Sequence, residues 1–155
     1  MEGNWKDEIS TPALILNYDV MQKNLEYMAN FVKENNVNLR QHIKTAKIPL
    51  IAHLQKKIAG DSANGIAVAK VGEAEIYAQC GFDDILIANE VVDLGHIDRL
   101  IKLNDYTLTR CVVDSKKNVN DLSQMATKYN AKLEVLIDVD LGFGRTGLKP
   151  GEPVL

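Results

Sequence analysis

The stretch GIAVAKVGEAEIYAQCGFDDILIAN, residues 65–89, decides the fold class. Its first five residues form a short apolar run that predicts a strand, and residues 85–89 form a second such run. Between them, residues 72–80 have the pattern of a helix, and Gly81 follows as a left-handed cap. A strand, a helix and a strand in this order predict two parallel strands joined by a right-handed crossover.

The same unit recurs along the chain. Apolar runs predict further strands at 39–43, 108–113 and 133–139, so that strand centres follow one another every 20–26 residues. A sixth run, at 14–16, predicts a strand ahead of these units. The intervening segments predict helices that begin near Asp19, Pro49, Asp93, and Asp114 or Ser115. These helices are expected to bury Ile51, Leu54, Ile58, Leu94, Ile97, Leu100, Val119 and Leu122.

The length of the chain limits this α/β architecture. Five strand–helix units at a steady period match a (β/α)₈ barrel of the TIM type, which typically needs about 250 residues. The chain has 155 residues. We therefore expect one domain over residues 1–155 that holds about five of the eight units, with the remaining units absent from this sequence.

Composition excludes several other classes of protein. The chain is 46% hydrophobic and 25% charged, as is typical of a soluble globular domain. It has no run of 18 apolar residues and no apolar segment near its start, so neither a membrane span nor a signal peptide is expected. Cys80 and Cys111 lie in apolar stretches, which predicts buried, reduced thiols and a cytoplasmic protein.

The charges are unevenly distributed along the chain. Residues 23–57 contain seven basic and two acidic side chains, whereas residues 61–105 contain three basic and nine acidic ones. No aromatic side chains are interleaved with the basic residues, so nucleic acid is not an expected partner. His53, His96 and Asp98 lie on predicted helices without the spacing of a metal site, and no metal ligands are predicted in this chain.

Chemistry in parallel α/β folds lies at the carboxyl ends of the strands, and this rule selects His42 and Lys44. Burying the ammonium of Lys44 is costly, and the neighbouring charges of Arg40, Lys47 and His42 would lower its pKa. A lysine amine without its proton is a nucleophile that forms Schiff bases with carbonyl compounds. The alternatives are a lysine that extends to solvent at the rim and a histidine that belongs to the core.

Arg145 lies in a glycine-rich segment, GFGRTG, after the last predicted strand. The segment resembles a dinucleotide-binding fingerprint, but Pro150 and Pro153 follow where that motif requires a helix. We interpret it instead as a loop that presents Arg145 to a ligand, where a guanidinium stabilises an anionic oxygen.

Five segments carry a resemblance to a known family. They are TPAL (11–14), RQHIKTAK (40–47), AVAKVGEAE (67–75), DDILIANEVV (83–92) and DVDLGFGRTG (138–147). Together they resemble the N-terminal barrel domain of the D-threonine aldolase and D-serine dehydratase group, which is related to alanine racemase and carries pyridoxal 5′-phosphate (PLP) as a fold-type III enzyme. Two positions depart from that pattern, because Gln41 stands where proline is common and Ala46 where histidine is common.

The resemblance implies roles for particular residues. Lys44 matches the lysine that bears PLP, and Arg145 matches the arginine that contacts the phenolic oxygen of the cofactor. His42 would order the lysine or the cofactor. The resemblance also implies three further barrel units and a C-terminal β domain, which would supply most of the phosphate site and the ligands of a divalent metal. The strand at 14–16 is expected to pair with that domain and to be unpaired here.

The resemblance predicts a PLP-dependent lyase that cleaves a β-hydroxy D-amino acid to glycine and an aldehyde, as D-threonine aldolase does. It further implies a small D-amino acid as substrate and a homodimer as the full-length form. D-serine dehydration and alanine racemisation are the alternatives within this class. A non-catalytic protein that buffers PLP, or an inactive fragment, are the alternatives outside it.

Overall fold

Five parallel strands in the order β1-β2-β3-β4-β5 form the sheet of the computed structural model, which describes residues 5–151. The strands are Leu39–His42 (β1), Ala63–Val68 (β2), Asp84–Glu90 (β3), Leu108–Val113 (β4) and Glu134–Ile137 (β5). The helices are Tyr18–Glu34 (α1), Pro49–Ala59 (α2), Val71–Gln79 (α3), Leu94–Leu103 (α4) and Lys116–Lys128 (α5). Two short 3₁₀ helices, Trp5–Glu8 and Gly60–Ser62, complete the regular structure of this range.

The strand order distinguishes a barrel from an open doubly wound sheet. Each strand pairs in parallel with the next strand along the chain, from β1 to β5, and the order never reverses. A doubly wound fold would reverse its direction at a switch point, whereas a (β/α)₈ barrel adds its strands in one direction. The predicted α/β class and the five βα-type strands are therefore confirmed.

Most of the predicted helix boundaries are also confirmed, with one exception. The side chains of Asp93 and Ser115 accept hydrogen bonds from the backbone N–H groups three residues on, as caps of α4 and α5. Gly81 has a φ of 86° just after α3. The prediction for Asp19 is wrong, because Asn17 caps α1 by accepting from the Val20 N–H at 3.0 Å.

The main core lies between the sheet and helices α2–α5. Ile85 and Ile87 of β3 are almost fully buried there, with Ile97 and Leu100 of α4. Several predicted core positions differ from this arrangement. Leu94 and Val119 are exposed, and α2 buries Ala52, Gln55 and Ala59 while the predicted Ile51, Leu54 and Ile58 are only half-buried. Small side chains allow a helix to approach the sheet closely, so α2 packs through the face that carries its alanines.

A chain of opposite charges crosses the sheet near the amino ends of the strands. Asp84 accepts three hydrogen bonds, two from Arg40 at 2.7 and 2.9 Å and one from Arg110 at 2.6 Å. Arg110 also donates to Glu134 at 2.7 Å. Gly65 makes this possible, since a Cβ at its φ of 63° would lie 2.5 Å from the Asp84 carbonyl oxygen and would collide with the Arg40 guanidinium.

The edges of the sheet are open. Residues 14–16 form no strand and are largely exposed, so the predicted strand is absent and the segment is unpaired, as the resemblance implied. β5 exposes Val135, Leu136 and Ile137.

Cys111 is buried as predicted, but Cys80 is exposed at the end of α3, contrary to the prediction. No helix within residues 5–151 combines the length and the apolar character needed to cross a membrane.

Candidate functional site

A cavity of about 510 Å³ opens at the carboxyl ends of the strands. A pocket of this size holds a small molecule or a cofactor. Five of its lining residues carry ionisable side chains, and they come from β1, from β3 and from the segment after β5. The lining residues are His42, Lys44, Ala69, Ala88, Asn89, Glu90, Val112, Asp138, Arg145 and Thr146. The three residues predicted from the sequence, His42, Lys44 and Arg145, are therefore brought together at one cavity.

The end of β1 fixes the orientation of His42 relative to Lys44. The backbone N–H of Lys44 donates to Nδ1 of His42 at 3.3 Å, so in the neutral ring the proton is on Nε2. Burial, followed by the positive charge of Lys44, lowers the pKa of His42 below its ordinary value. At neutral pH the ring is therefore uncharged.

The surroundings of Lys44 differ from those predicted. Arg40 is bound to Asp84 near the opposite ends of the strands, and the ammonium of Lys47 lies 2.9 Å from the Glu73 carboxylate. The expectation that these positive charges crowd Lys44 is wrong, because each is paired with a carboxylate. Lys44 itself is exposed at the cavity rather than buried. Within residues 5–151 no carboxylate forms an ion pair with it.

The glycine-rich segment after β5 is a loop, as predicted, and no helix follows within the described residues. The Asp140 carboxylate shapes it by accepting the backbone N–H groups of Gly142 at 2.9 Å and Gly144 at 3.0 Å. These hydrogen bonds lower the pKa of Asp140. Gly147, with a φ of 93°, permits the loop to close, since a Cβ there would lie 2.8 Å from the Asp140 nitrogen.

Arg145 stands on this loop with its guanidinium free of carboxylates within residues 5–151. Its Cζ atom lies 5.9 Å from the centre of the Phe143 ring, a cation–π distance. Phe143 is 88% exposed and Arg145 is exposed as well, so this contact lies at the surface rather than in a core.

One wall of the cavity is acidic, and sequence reasoning assigned it no role. Glu90 ends β3 and Asp138 follows β5, and both line the cavity. Burial, then the charges of Asp114 and Asp138, raise the pKa of Glu90. Glu90, Asp114 and Asp138 also stand at the carboxyl ends of predicted strands, but nothing in the sequence indicates that Glu90 and Asp138 line one cavity.

A second cavity, of about 710 Å³, lies beyond Asn89 and Glu90, between the amino ends of α3 and α4. Its charged groups are mostly paired, Lys47 with Glu73 and Arg99 with Glu75. It contains neither Lys44 nor Arg145, so we assign the candidate site to the smaller cavity. Among residues 5–151, no group of three or more histidine, cysteine or acidic side chains is arranged to hold a metal ion.

Comparison with known proteins gives a consistent picture. The model of the alanine racemase N-terminal domain family matches residues 16–155. The chain is 36% identical to 3-hydroxy-D-aspartate aldolase of Paracoccus denitrificans over 157 residues, which cover all of this chain and 40% of that protein. It is 34% identical to D-threonine aldolase of an Arthrobacter species, covering 95% of this chain and 38% of that protein.

A solved structure agrees with the fold. The crystal structure of D-threonine aldolase from Filomicrobium marinum superposes with a TM-score of 0.89 and 37% identity, over 95% of this chain and 39% of that one. The chain spans about two fifths of the length of the relatives that it matches. The five strands therefore form part of a barrel of the alanine racemase kind, as the strand order indicates.

Proposed function

Because the chain belongs to the alanine racemase N-terminal domain family, we propose that it carries the cofactor-binding part of a PLP-dependent lyase that acts on β-hydroxy D-amino acids. The reaction that we propose is retro-aldol cleavage to glycine and an aldehyde. Two relatives that bear aldolase names, at 36% and 34% identity, support this choice within the family.

The convergence of Lys44 and Arg145 carries the proposal. The two residues are 101 positions apart in the sequence, yet they line one cavity together with His42. A primary amine suits an aldehyde, and a guanidinium suits an anionic oxygen, so this pair of groups fits PLP, which carries both. The volume of about 510 Å³ also fits a ligand of that size.

In this proposal Lys44 holds PLP through its amine, and Arg145 holds the phenolic oxygen. When bound, PLP supplies an electron sink for the electron pair that is released as a bond to the substrate α-carbon breaks. His42 acts as a positioning residue, because its Nδ1 accepts the Lys44 backbone N–H and so fixes the direction in which that residue leaves β1.

Reductive trapping tests where PLP is held. The complete protein is incubated with PLP, reduced with borohydride, and digested for peptide mass spectrometry. We expect the adduct on Lys44, none in the Lys44→Ala variant, and an undiminished adduct in Lys47→Ala, because Lys47 is engaged with Glu73 beside the other cavity. An adduct that persists in Lys44→Ala would refute the assignment of this residue.

Product analysis tests the reaction. The complete protein with PLP is assayed with D-threonine and D-threo-3-hydroxyaspartate, with and without added divalent metal. Glycine and an aldehyde establish the aldolase, whereas a 2-oxo acid with ammonia indicates a dehydratase and a change of configuration alone indicates a racemase. A trapped adduct without any turnover indicates a PLP-buffering protein and contradicts the proposal of a lyase.

We further propose that other segments of the complete protein provide the remaining barrel strands and a C-terminal β domain, and that it works as a homodimer. The exposed apolar side chains of β5 support the first point, since a following strand would cover them. Size-exclusion chromatography with light scattering measures the second, and a monomer with full activity would contradict it.

A further inference from the structure

The acidic wall of the cavity depends on an irregularity in the sheet. Between β3 and β4, Ile87 lies opposite Cys111, but the next aligned pair is Glu90 with Val112. Three steps along β3 therefore match one step along β4, and Glu90 takes the level that Ala88 would occupy in a regular ladder. Irregularities of this kind re-aim side chains, often beside a functional site. Here the irregularity places a carboxyl group in the wall.

The Glu90 carboxyl group has a hydrogen-bonding defect. Its Oε1 atom is shielded from solvent and has no hydrogen-bond partner within the described residues. The Asp138 side chain lines the same cavity, and hydrogen bonding with it contributes to the raised pKa of Glu90. Two ionised carboxylates cannot bond to each other, because both are acceptors, but one proton between them satisfies the buried oxygen.

The backbone of Asp138 is fixed on both sides. Its backbone N–H donates to the Val113 carbonyl at 2.9 Å, and its own carbonyl accepts from the Leu148 N–H at 3.0 Å. These two hydrogen bonds fix the backbone of Asp138 to β4 on one side and to the strand-like segment after the glycine loop on the other. Only its side-chain torsions remain free.

We propose that Glu90 and Asp138 share one proton, and that this acid pair keeps the cavity wall at one negative charge so that the cavity can accept an anionic ligand. That the ligand is PLP rests on the proposed function, whereas the shared proton does not. In this arrangement Glu90 and Asp138 are positioning residues, since they act through the charge of the wall on a ligand held by Lys44 and Arg145.

The charge balance of the cavity depends on whether the pair carries one negative charge or two. Lys44 and Arg145 are the cations at this cavity, and a doubly ionised wall would cancel both. The charge of Asp114, which follows β4, acts on Glu90 and disfavours a second negative charge on the pair. His42 is uncharged, and burial together with Glu90 raises the pKa of the Cys111 thiol to about 12. With Asp114 included, the two cations are balanced when the pair carries one negative charge and outnumbered when it carries two. The shared proton therefore removes the net negative charge that would repel phosphate or carboxylate groups.

The first experiment measures the proton directly in the complete protein without ligand. Glutamate labelled with ¹³C at the side-chain carboxyl is titrated by NMR, and the Glu90→Gln variant identifies the Glu90 signal. We expect the Glu90 midpoint to lie above the ordinary glutamate range of about 4.3 and to fall in Asp138→Asn. Asp114→Asn is the matched control, because it removes a nearby charge and leaves the pair intact. It should lower the midpoint less.

An ordinary Glu90 midpoint in the wild type would overturn the proposal. So would an equal effect of Asp114→Asn and Asp138→Asn, which would indicate simple repulsion without a shared proton. Neither result depends on PLP, so this experiment is independent of the proposed function.

The second experiment measures how the pair affects binding. Dissociation constants of PLP and of inorganic phosphate are measured between pH 5 and pH 9 for the wild type and Glu90→Gln, which keeps a permanent N–H donor toward Asp138. The ratio of the two constants reports the pair, because ionisation of the phosphate is common to both proteins. We expect a ratio near one at low pH and a progressive loss of wild-type affinity above the midpoint, by up to about tenfold per pH unit.

The outcomes separate the two proposals. A ratio that stays constant with pH overturns the role of the acid pair, even if PLP is trapped on Lys44. Phosphate binding and a Glu90 titration that behave as expected, without any PLP adduct, support the acid pair and contradict the proposed function.

Discussion

Replacing Asp84 with asparagine should destabilise the protein far more than the same change at its neighbour Asp83. Asp84 accepts three hydrogen bonds from two guanidinium groups, and its side chain is only 23% exposed. The Asp83 side chain is 83% exposed and has a single contact, at 3.4 Å, with Lys56. The pair of variants therefore changes the same functional group in two environments one residue apart.

The magnitude follows from the geometry. Breaking a buried ion pair costs about 3–5 kcal/mol, whereas an exposed pair contributes about 0–1 kcal/mol. Arg40 and Arg110 are each 21% exposed, so the group is partly buried and the expected cost lies between these two ranges. Each keeps one other acceptor, the Ile66 carbonyl and Glu134 respectively. We expect a loss of about 2–3 kcal/mol for Asp84→Asn and less than about 0.5 kcal/mol for Asp83→Asn.

The assay is urea unfolding at pH 7, followed by circular dichroism, with the slopes compared as well as the midpoints. The effect should also depend on pH. Burial of Asp84 opposes ionisation, but the hydrogen bonds and charges of Arg40 and Arg110 outweigh it and hold the pKa below its ordinary value. A lowered pKa stabilises the folded state above the unfolded value of about 3.9, and that stabilisation is lost as the pH falls through the folded value. The difference in the free energy of unfolding between wild type and Asp84→Asn should therefore become smaller below about pH 4. Equal losses for the two variants at pH 7, or a gap that widens in acid, would refute this reasoning.

Three further predictions concern packing, capping and reactivity. Gly65→Ala should lower the free energy of unfolding by at least about 2 kcal/mol, because Gly65 has a positive φ and lies close to the Asp84 carbonyl. Gly81→Ala should lower it by only about 1–2 kcal/mol in the same urea assay, because Gly81 has a positive φ but open space around it. Ser115→Ala should cost about 1 kcal/mol through loss of the cap on α5, and an unchanged midpoint would contradict that role. Iodoacetamide at pH 8 should label the exposed Cys80 but not the buried Cys111, whose pKa of about 12 leaves almost no thiolate. Labelling of Cys111 in the folded protein, detected by mass spectrometry, would contradict its burial.

The order of the elements could be predicted from the sequence because each rests on local signals. Short apolar runs separated by caps such as Asp93 and Ser115 predict strands and helices without reference to the rest of the chain. The burial of particular side chains could not be predicted so well. Leu94 follows the helical pattern but is the first residue of α4 and is 59% exposed.

Only part of the candidate site could be predicted from the sequence, because topology places some of its residues and strand register places the others. Lys44 and Arg145 follow strands, and all parallel strands end at one edge of the sheet, so their convergence follows from topology alone. The partners of charged residues depend on register and on which face a side chain takes. Arg40 is close to Lys44 in sequence but binds Asp84, which lies on the next strand but one. The irregularity that aims Glu90 at Asp138 has no sequence signal that we can identify.

The two ends of the sheet differ in how their charges are satisfied, and this difference agrees with the proposed position of the site. At the amino ends, four charged groups form a row in which each has a partner of opposite sign: Arg40, Asp84, Arg110 and Glu134. At the carboxyl ends, Lys44 and Arg145 have no carboxylate partner within residues 5–151, and Glu90 has an oxygen without a donor. Lys44 and Arg145 are exposed, so the lack of a carboxylate partner costs the fold little. In the proposed function these two cations bind an anion that also carries a carbonyl for the lysine, whereas the buried oxygen of Glu90 is satisfied by the proton shared with Asp138.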